Sequence, residues 1–213
     1  KTVEKAKNSE SILNTLAETL NQGIPARNIE MSIEQFDAIK DLNLITLKKQ
    51  IYCCNVDENS ISSENEYIKQ VKEIAQKNGS EVIVICGKLE SEISELETEE
   101  EKKDFLLAAG LEESGLDKMI KAAYHALDLQ TYFTAGEKEV RAWTFNKGYT
   151  APQAAGVIHT DFERGFIRAE VYHCSDLFEL GSEQKIKDAG KLRIEGKEYV
   201  VKDGDVMHFR FNV

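Results

Sequence analysis

Two short apolar runs on either side of a helical pattern constrain this 213-residue chain more than any other feature. Gln50–Asn55 carries I-Y-C-C, and Val82–Cys86 carries V-I-V-I-C. Continuous apolar runs of this length are expected of strands buried on both faces of a parallel sheet. Between them, Glu64–Lys77 places Tyr67, Ile68, Val71, Ile74 and Ala75 on one side at helical spacing, and Asn78-Gly79 closes that helix. Strand, helix, strand is a βαβ unit with parallel strands. The loops Asn55-Val56-Asp57-Glu58 and Gly87-Lys88-Leu89-Glu90 then leave its carboxyl ends, where ligands bind in such sheets.

Upstream the pattern is helical. Ile12, Leu13, Leu16, Ala17 and Leu20 make a narrow stripe along Lys1–Asn21, and Gly23 with Pro25 ends it. The helix begins at Lys1 without a cap, so something is expected before it. Ser32, with Gln35 three residues on, predicts a capped second helix with Phe36, Ile39 and Leu42 on one face. Downstream, Glu90–Asp104 carries eight acidic residues and reads as a solvated helix face around Ile93 and Leu96. Phe105–Leu107 and Leu116–Leu127 read as helices, the second with Met119, Ile120, Ala123 and Leu127 inward. Gln130–Glu139 reads as a link turning at Gly136.

From Val140 the period falls to two. Val140–Phe145, Phe166–Tyr172 and Val206–Phe211 alternate, with Met207, Phe209 and Phe211 on one face. Glu195-Gly196 predicts a hairpin between Leu192–Ile194 and Tyr199–Val201, and Asp203-Gly204 predicts another turn. Pro152 suits the first turn of a short helix, and Ser182 and Gly190 bracket a further one. Four or five strands gripping one or two helices in about 75 residues make a small α+β fold, for which a β-grasp is the natural candidate. The expected fold class is therefore α/β plus α+β.

Charge and cysteine usage narrow the function classes. The net charge is −11, yet Val140–Val213 holds eleven Lys/Arg against eleven Asp/Glu, so the acidic excess lies wholly upstream. A neutral terminal region permits an RNA partner without demanding one. No run approaches the ~20 apolar residues that span a bilayer, and the first residues lack a signal-peptide pattern. Cys53, Cys54, Cys86 and Cys174 form no C-x-x-C pair, and on a strand Cys53 and Cys54 point to opposite faces. They read as reduced, buried thiols, which predicts a cytoplasmic protein with no membrane partner. His125, His173 and His208 have no ligand spacing, so no metal site is expected among them.

Four stretches carry a family resemblance. Asn55-Val56-Asp57-Glu58 resembles the base-reading N-K-x-D motif of P-loop GTPases altered to N-x-x-E, and Cys86-Gly87-Lys88 stands where those proteins have a second base loop, S-A-K. T-Y-F-T-A-G-x-x-E-V-R-A-W-T (Thr131–Thr144) and A-P-Q-A-A-G-x-I-H-T-D-F-E-x-G-F-I (Ala151–Ile167) complete a pattern similar to the Obg-like ATPase family, YchF type. The resemblance implies a partial P-loop GTPase-like α/β core with a helical, coiled-coil arm, followed by a β-grasp (ubiquitin-like) TGS domain. Residues 1–49 would be the helical arm and connecting helix, with Lys1–Ala26 the arm's returning half. Residues 50–127 would be the C-terminal half of the nucleotide-binding domain, and 128–213 the TGS domain. It also implies ATP as ligand in preference to GTP, Mg²⁺ in the intact protein, and the ribosome and its RNA as partner, with no reading of DNA sequence.

The implied base-reading residues are Asn55, Val56, Glu58, Cys86, Gly87 and Lys88. In N-K-x-D proteins the Asp carboxylate accepts from guanine N1–H and the 2-amino group, and losing one such charge-assisted pair costs about 1.5–3 kcal/mol. Glu58 is one methylene longer and is expected to miss that geometry. What departs from the family is equally informative. No G-x-x-x-x-G-K-[ST] and no D-x-x-G occur in the chain, and phosphoryl transfer depends on the amides, Lys and Mg²⁺-binding hydroxyl of such a loop. No catalytic residue is therefore expected here, and the chain alone is expected to be inactive. His159-Thr160-Asp161 predicts a turn capped by Asp161. Arg141, Lys147, Arg164 and Arg168 are candidates for RNA or partner contact, with Arg141 and Arg168 meeting phosphates if they share a sheet face. The rival reading is a non-catalytic binding module or scaffold whose TGS domain docks on the ribosome or a stress-response partner.

Overall fold

The computed structural model describes residues 2–61, 63–136 and 139–212, so Lys1, and Glu137 and Lys138 within the expected link, lie outside the described residues. The chain divides into two compact units, residues 1–126 and 127–213.

The first unit opens with helix α1, Thr2–Asn21. Ile12 and Leu16 bury against Ala26 and Ile39, with Leu20, Ile29 and Leu47 around them. Gly23, at φ +76°, ends the helix, and the N–H of Ile24 reaches back to the Thr19 carbonyl. An L side chain is strained at that φ, which is why glycine stands there. Helix α2, Ile33–Ile39, starts on the expected capping box of Ser32 and Gln35. Its expected apolar face is only partly used: Ile39 is buried, while Phe36 and Leu42 are exposed. The chain passes from α-helix to a 3-10 turn at Lys40–Leu42, and the tighter turn swings Leu42 off the stripe.

Strand β1, Ile51–Asn55, pairs in parallel with β2, Glu81–Ile85, in the register Ile51↔Glu81 to Asn55↔Ile85. Helix α3, Glu66–Lys77, makes the crossover, N-capped by Asn65. The βαβ unit is as expected, but burial is lighter. Cys53 is exposed, and of the two strands only Ile83 is buried. A parallel strand is buried on both faces only when helices cover both; among the described residues this sheet has two strands. Tyr67 and Ile74 of α3 are likewise exposed, leaving Ile68 and Ala75 as its inward residues.

The acidic stretch forms two helices rather than one face: α4, Gly87–Ser94, and α5, Glu99–Ala108, the latter started by a Thr98–Glu101 capping box. Helix α6, Gly115–Ala126, turns a different side inward than expected. Gly115 and Ala122 are buried, while Ile120 and the following Leu127 are exposed. The helix lies against β2 through small residues, and a Cβ on Gly115 would come within 2.6 Å of Ile85.

The second unit is a five-stranded sheet in the order β4-β3-β7-β5-β6. Its strands are β3 (Leu129–Ala135), β4 (Val140–Asn146), β5 (Phe166–His173), β6 (Arg193–Glu195) and β7 (Asp205–Phe211). β3 and β7 run parallel, and the other pairs antiparallel. The expected link at Gln130–Glu139 is thus largely β3, an inner strand. Helix α7, Ala151–Ile158, covers one face through Ala151, Ala154 and Ala155, over Tyr132, Phe145, Ala169, Val171 and Met207. Fully burying a side chain such as Val171 or Met207 contributes about 1.5–3 kcal/mol. Short α8, Thr160–Arg164, leads into β5. On the other face, α9 (Cys174–Leu180) and α10 (Glu183–Asp188) cover Tyr172 and Val206. The bracketing of α10 by Ser182 and Gly190 is as expected; α9 was not foreseen.

The Glu195-Gly196 hairpin does not form. β6 pairs with β5, while Val200 bridges to Thr150 and the Val201 N–H bonds the Tyr149 carbonyl. A two-residue type I′ turn needs positive φ at both residues, and neither Glu195 nor Gly196 has it. The Asp203-Gly204 turn does form, closed by Asp205 N–H on the Lys202 carbonyl at 3.2 Å.

Candidate functional site

The parallel register ends both strands of the βαβ unit at one level, so the two loops singled out in the sequence leave side by side. Asn55 closes β1 in register with Ile85, and the Val56 N–H extends the ladder to the Ile85 carbonyl at 2.9 Å. The side chain of Asn55 then crosses to the second loop, its Oδ1 accepting the Gly87 N–H at 3.0 Å. This contact fixes the amide orientation and turns Nδ2 outward as a donor. A Cβ on Gly87 would lie 3.4 Å from that oxygen.

A second cross-loop contact runs in parallel. Lys88 Nζ lies 2.5 Å from Glu58 Oε1 and 3.8 Å from Glu92. The hydrogen bond to Glu58, and then its charge, raise the Lys88 ammonium above the usual lysine range. Within the first loop, Asp57 accepts the Ser60 N–H at 2.8 Å, and hydrogen bonding from the Ser60 side chain first, and then from its backbone, holds the carboxyl below the usual range. Cys86 is buried beneath Gly87. Beside Asn55 and Val56, a hollow of about 320 Å³ runs back to Tyr67, Ile68 and Val71 of α3.

Glu90 anchors the second loop from behind. Its carboxylate accepts the N–H groups of Gly115 at 2.6 Å and Leu116 at 3.1 Å. These are orphan donors at a helix N-terminus, where a negative charge is favoured. Sequence reasoning placed Glu90 in a solvated acidic face and missed this role. The signal was faint: a glycine at Gly115 after Ser114, and one carboxylate near a loop.

The structure therefore brings together all six residues expected at the loop pair. It does not gather the four basic ones. Arg141 alternates with Trp143 and Phe145 on the α7 side of the sheet, its guanidinium 4.1 Å from the Trp143 ring centroid. Arg168 faces the other side, in step with Glu170 and Tyr172 and opposite Arg210 in register. The condition of a shared face is not met, because the residues Ala169 and Val171 that point toward α7 alternate with Arg168. Lys147 follows the far end of β4 from Arg141, and Arg164 closes α8.

The turn at His159 is also differently made. His159, not Asp161, is the cap: its Nδ1 accepts the Asp161 N–H at 3.2 Å. His173 caps α9 in the same way, accepting from Ser175 N–H at 3.2 Å. The four cysteines are free thiols, Cys86 buried and Cys53 exposed rather than buried.

Between them the two loops present the Asn55 amide, two stretches of backbone and the Lys88–Glu58 pair. No G-x-x-x-x-G-K-[ST] loop, the element that holds phosphates and Mg²⁺ in P-loop proteins, occurs in the sequence. Among the described residues, no three His, Cys, Asp or Glu side chains gather as a metal site, and no helix is long and apolar enough to cross a membrane.

Comparison with known proteins agrees with the motifs. Residues 129–212 match a family model named YchF-GTPase_C and described as a protein of unknown function (DUF933). Over 204 residues, 95% of this chain and 56% of the relative, the chain is 54% identical to a Bacillus subtilis (strain 168) protein named ribosome-binding ATPase YchF. A Haemophilus influenzae protein of the same name is 50% identical over 99% of the chain and 57% of its own length. The solved structure of the Schizosaccharomyces pombe YchF GTPase superposes with a TM-score of 0.81 at 36% identity, over 96% of this chain and 55% of that one. The chain spans a little over half the length of these relatives. Residues 129–212 thus match the YchF-GTPase_C model, and over almost its whole length the chain is similar to the corresponding part of these YchF proteins.

Proposed function

We propose that this chain supplies the base-reading half of a nucleotide site and a recognition domain of a ribosome-associated, GTPase-like ATPase. The observation that carries this reading is the 3.0 Å bond from Gly87 N–H to Asn55 Oδ1, which locks two loops at the carboxyl ends of parallel strands. Asn55 Nδ2 then donates to a purine ring nitrogen, and Val56 and the Cys86–Lys88 backbone line the base. In the intact protein ATP is preferred to GTP, and Mg²⁺ neutralises its phosphates. Residues 1–49 act as helical arm and connection, 50–127 as half of the nucleotide domain, and 128–213 as a TGS domain. The strand order β4-β3-β7-β5-β6, with β3 parallel to β7, supports a β-grasp arrangement for the last. A cytoplasmic location follows from the ribosome as partner.

Irradiating the chain with an 8-azidoadenine nucleotide tests the base site. Label is expected on peptides holding Asn55–Glu58 and Cys86–Lys88, and label found only elsewhere would overturn it. Purified chain is expected to show no ATP turnover, since the phosphate-binding loop is not in its sequence.

A second reading, a docking module that the nucleotide merely switches, is favoured by the charge-balanced terminal region. Under it the isolated chain sediments with ribosomes in a salt-dependent way. The candidates for phosphate contact now fall on two faces, Arg141 on one and Arg168 with Arg210 on the other. Arg168→Ala should flatten the salt dependence by about one ion if its face docks.

A further inference from the structure

Glu58 stands at the position where a carboxylate would select guanine, and its length alone does not remove it from the pocket rim. What holds it is Lys88. The ammonium lies 2.5 Å from Glu58 Oε1, and it projects from the residue next to Gly87, whose N–H is itself tied to Asn55. The two cross-loop contacts thus lie side by side: one presents an amide to the base, the other removes a carboxylate from it.

The distinction matters because of what each purine offers. Both carry N7, an acceptor that the outward Nδ2 of Asn55 meets equally well. Guanine alone adds N1–H and a 2-amino group, donors that need a free carboxylate with both oxygens available. A carboxylate with one oxygen engaged and its charge neutralised at 2.5 Å is a poor acceptor for that pair. We propose that Lys88 is a positioning residue for purine selection: by pairing with Glu58 it withholds the acceptor guanine requires, so the pocket gives guanine no advantage over adenine. The inference rests on the base-site reading above and adds to it the group that sets the selectivity.

Both side chains are accessible, 69% for Lys88 and 46% for Glu58, so substitution leaves the buried packing untouched. The test is a titration of the full 213-residue chain with AMP and with GMP, following the backbone amide signals of Asn55, Val56 and Gly87 by NMR. In the wild type, AMP shifts these signals and GMP binds no better. Lys88→Met should raise the GMP-to-AMP affinity ratio about tenfold, the value of one charge-assisted pair. Lys88→Arg, which keeps the ion pair, should leave the ratio as in the wild type. In the double variant Lys88→Met with Glu58→Gln the gain should vanish.

An unchanged ratio in Lys88→Met, or a gain that survives Glu58→Gln, overturns the selector role while AMP binding still upholds the base site. If neither nucleotide moves the loop signals in any variant, the base site itself fails and the inference falls with it.

Discussion

At the scale of single residues, the second unit depends on a buried carboxylate. Asp205 has no solvent exposure; its Oδ2 accepts Tyr199 Oη–H at 2.7 Å and Lys202 N–H at 2.9 Å, and its Oδ1 lies 3.5 Å from Arg193 Nη2. Deleting the carboxylate leaves the neutral groups that bond it without their acceptor. Asp205→Ala, which takes the acceptor from Tyr199 and from the Lys202 N–H while Arg193 keeps Glu195, should cost about 1–3 kcal/mol, read from urea denaturation followed by Trp143 fluorescence. Tyr199 gives the cluster a pH signature. Burial first, and then its bond to Asp205, push its phenol up to about 12. The folded state thus favours the neutral form relative to an unfolded tyrosine near 10. Its contribution is fully present below pH 10 and is lost as the pH rises toward 12. Denaturation midpoints should therefore fall between pH 10 and 12 in the wild type, and fall less in Tyr199→Phe. At the loop pair, Asn55→Ala should cost only about 0.5–1.5 kcal/mol of stability, the net worth of one hydrogen bond, while abolishing the AMP-induced shift at Gly87.

At the scale of elements, the sequence revealed what local chemistry decides. Ser32 with Gln35, Pro152, and Ser182 with Gly190 each specify a helix end through the backbone beside them, and α2, α7 and α10 begin or end where they say. The loop pair was legible for a topological reason: two parallel strands joined by one helix must release their loops at one end. Strand β3 was not legible, because Tyr132 faces the α7 core while Phe133 packs on the α9–α10 side. A strand buried on both faces loses the period of two that reveals a strand. Capping by His159 and His173 left no signal either, since a ring nitrogen accepting a backbone N–H is not a common cap. Nor did the Lys88–Glu58 pair, which joins residues thirty positions apart. Helix α6 was assigned the wrong side because large apolar residues outweighed Gly115 and Ala122 in the pattern. The close approach at Gly115 makes a prediction of its own. Gly115→Val would push into Ile85 and Glu90, costing about 1–3 kcal/mol of overpacking. Faster amide hydrogen exchange in α6 and at Leu116 would register it, whereas Ile120→Val on the exposed side should change little.

At the scale of the whole molecule, two units each close around buried residues of their own, one around Ile12, Leu16 and Ile39, the other around Tyr132, Phe145, Val171 and Met207. The second should therefore fold when produced as residues 127–213. Its single tryptophan, with Nε1 donating to Thr134 Oγ1 at 2.9 Å, would report this by a near-ultraviolet circular dichroism band; a flat spectrum would show that the unit needs the rest of the chain. The position of β7 in that unit bears on how it is made. Without residues 205–211, β3–β4 and β5–β6 are two separate antiparallel pairs, and Phe133 and Tyr172 have nothing between them to join the halves. The last strand to be synthesised is the one that closes the sheet, and its partner at Phe133 has waited since early in the unit. Pairing at such sequence separation makes folding slow and late. During translation the unit should stay open, with both inner edges exposed, until β7 has left the exit tunnel.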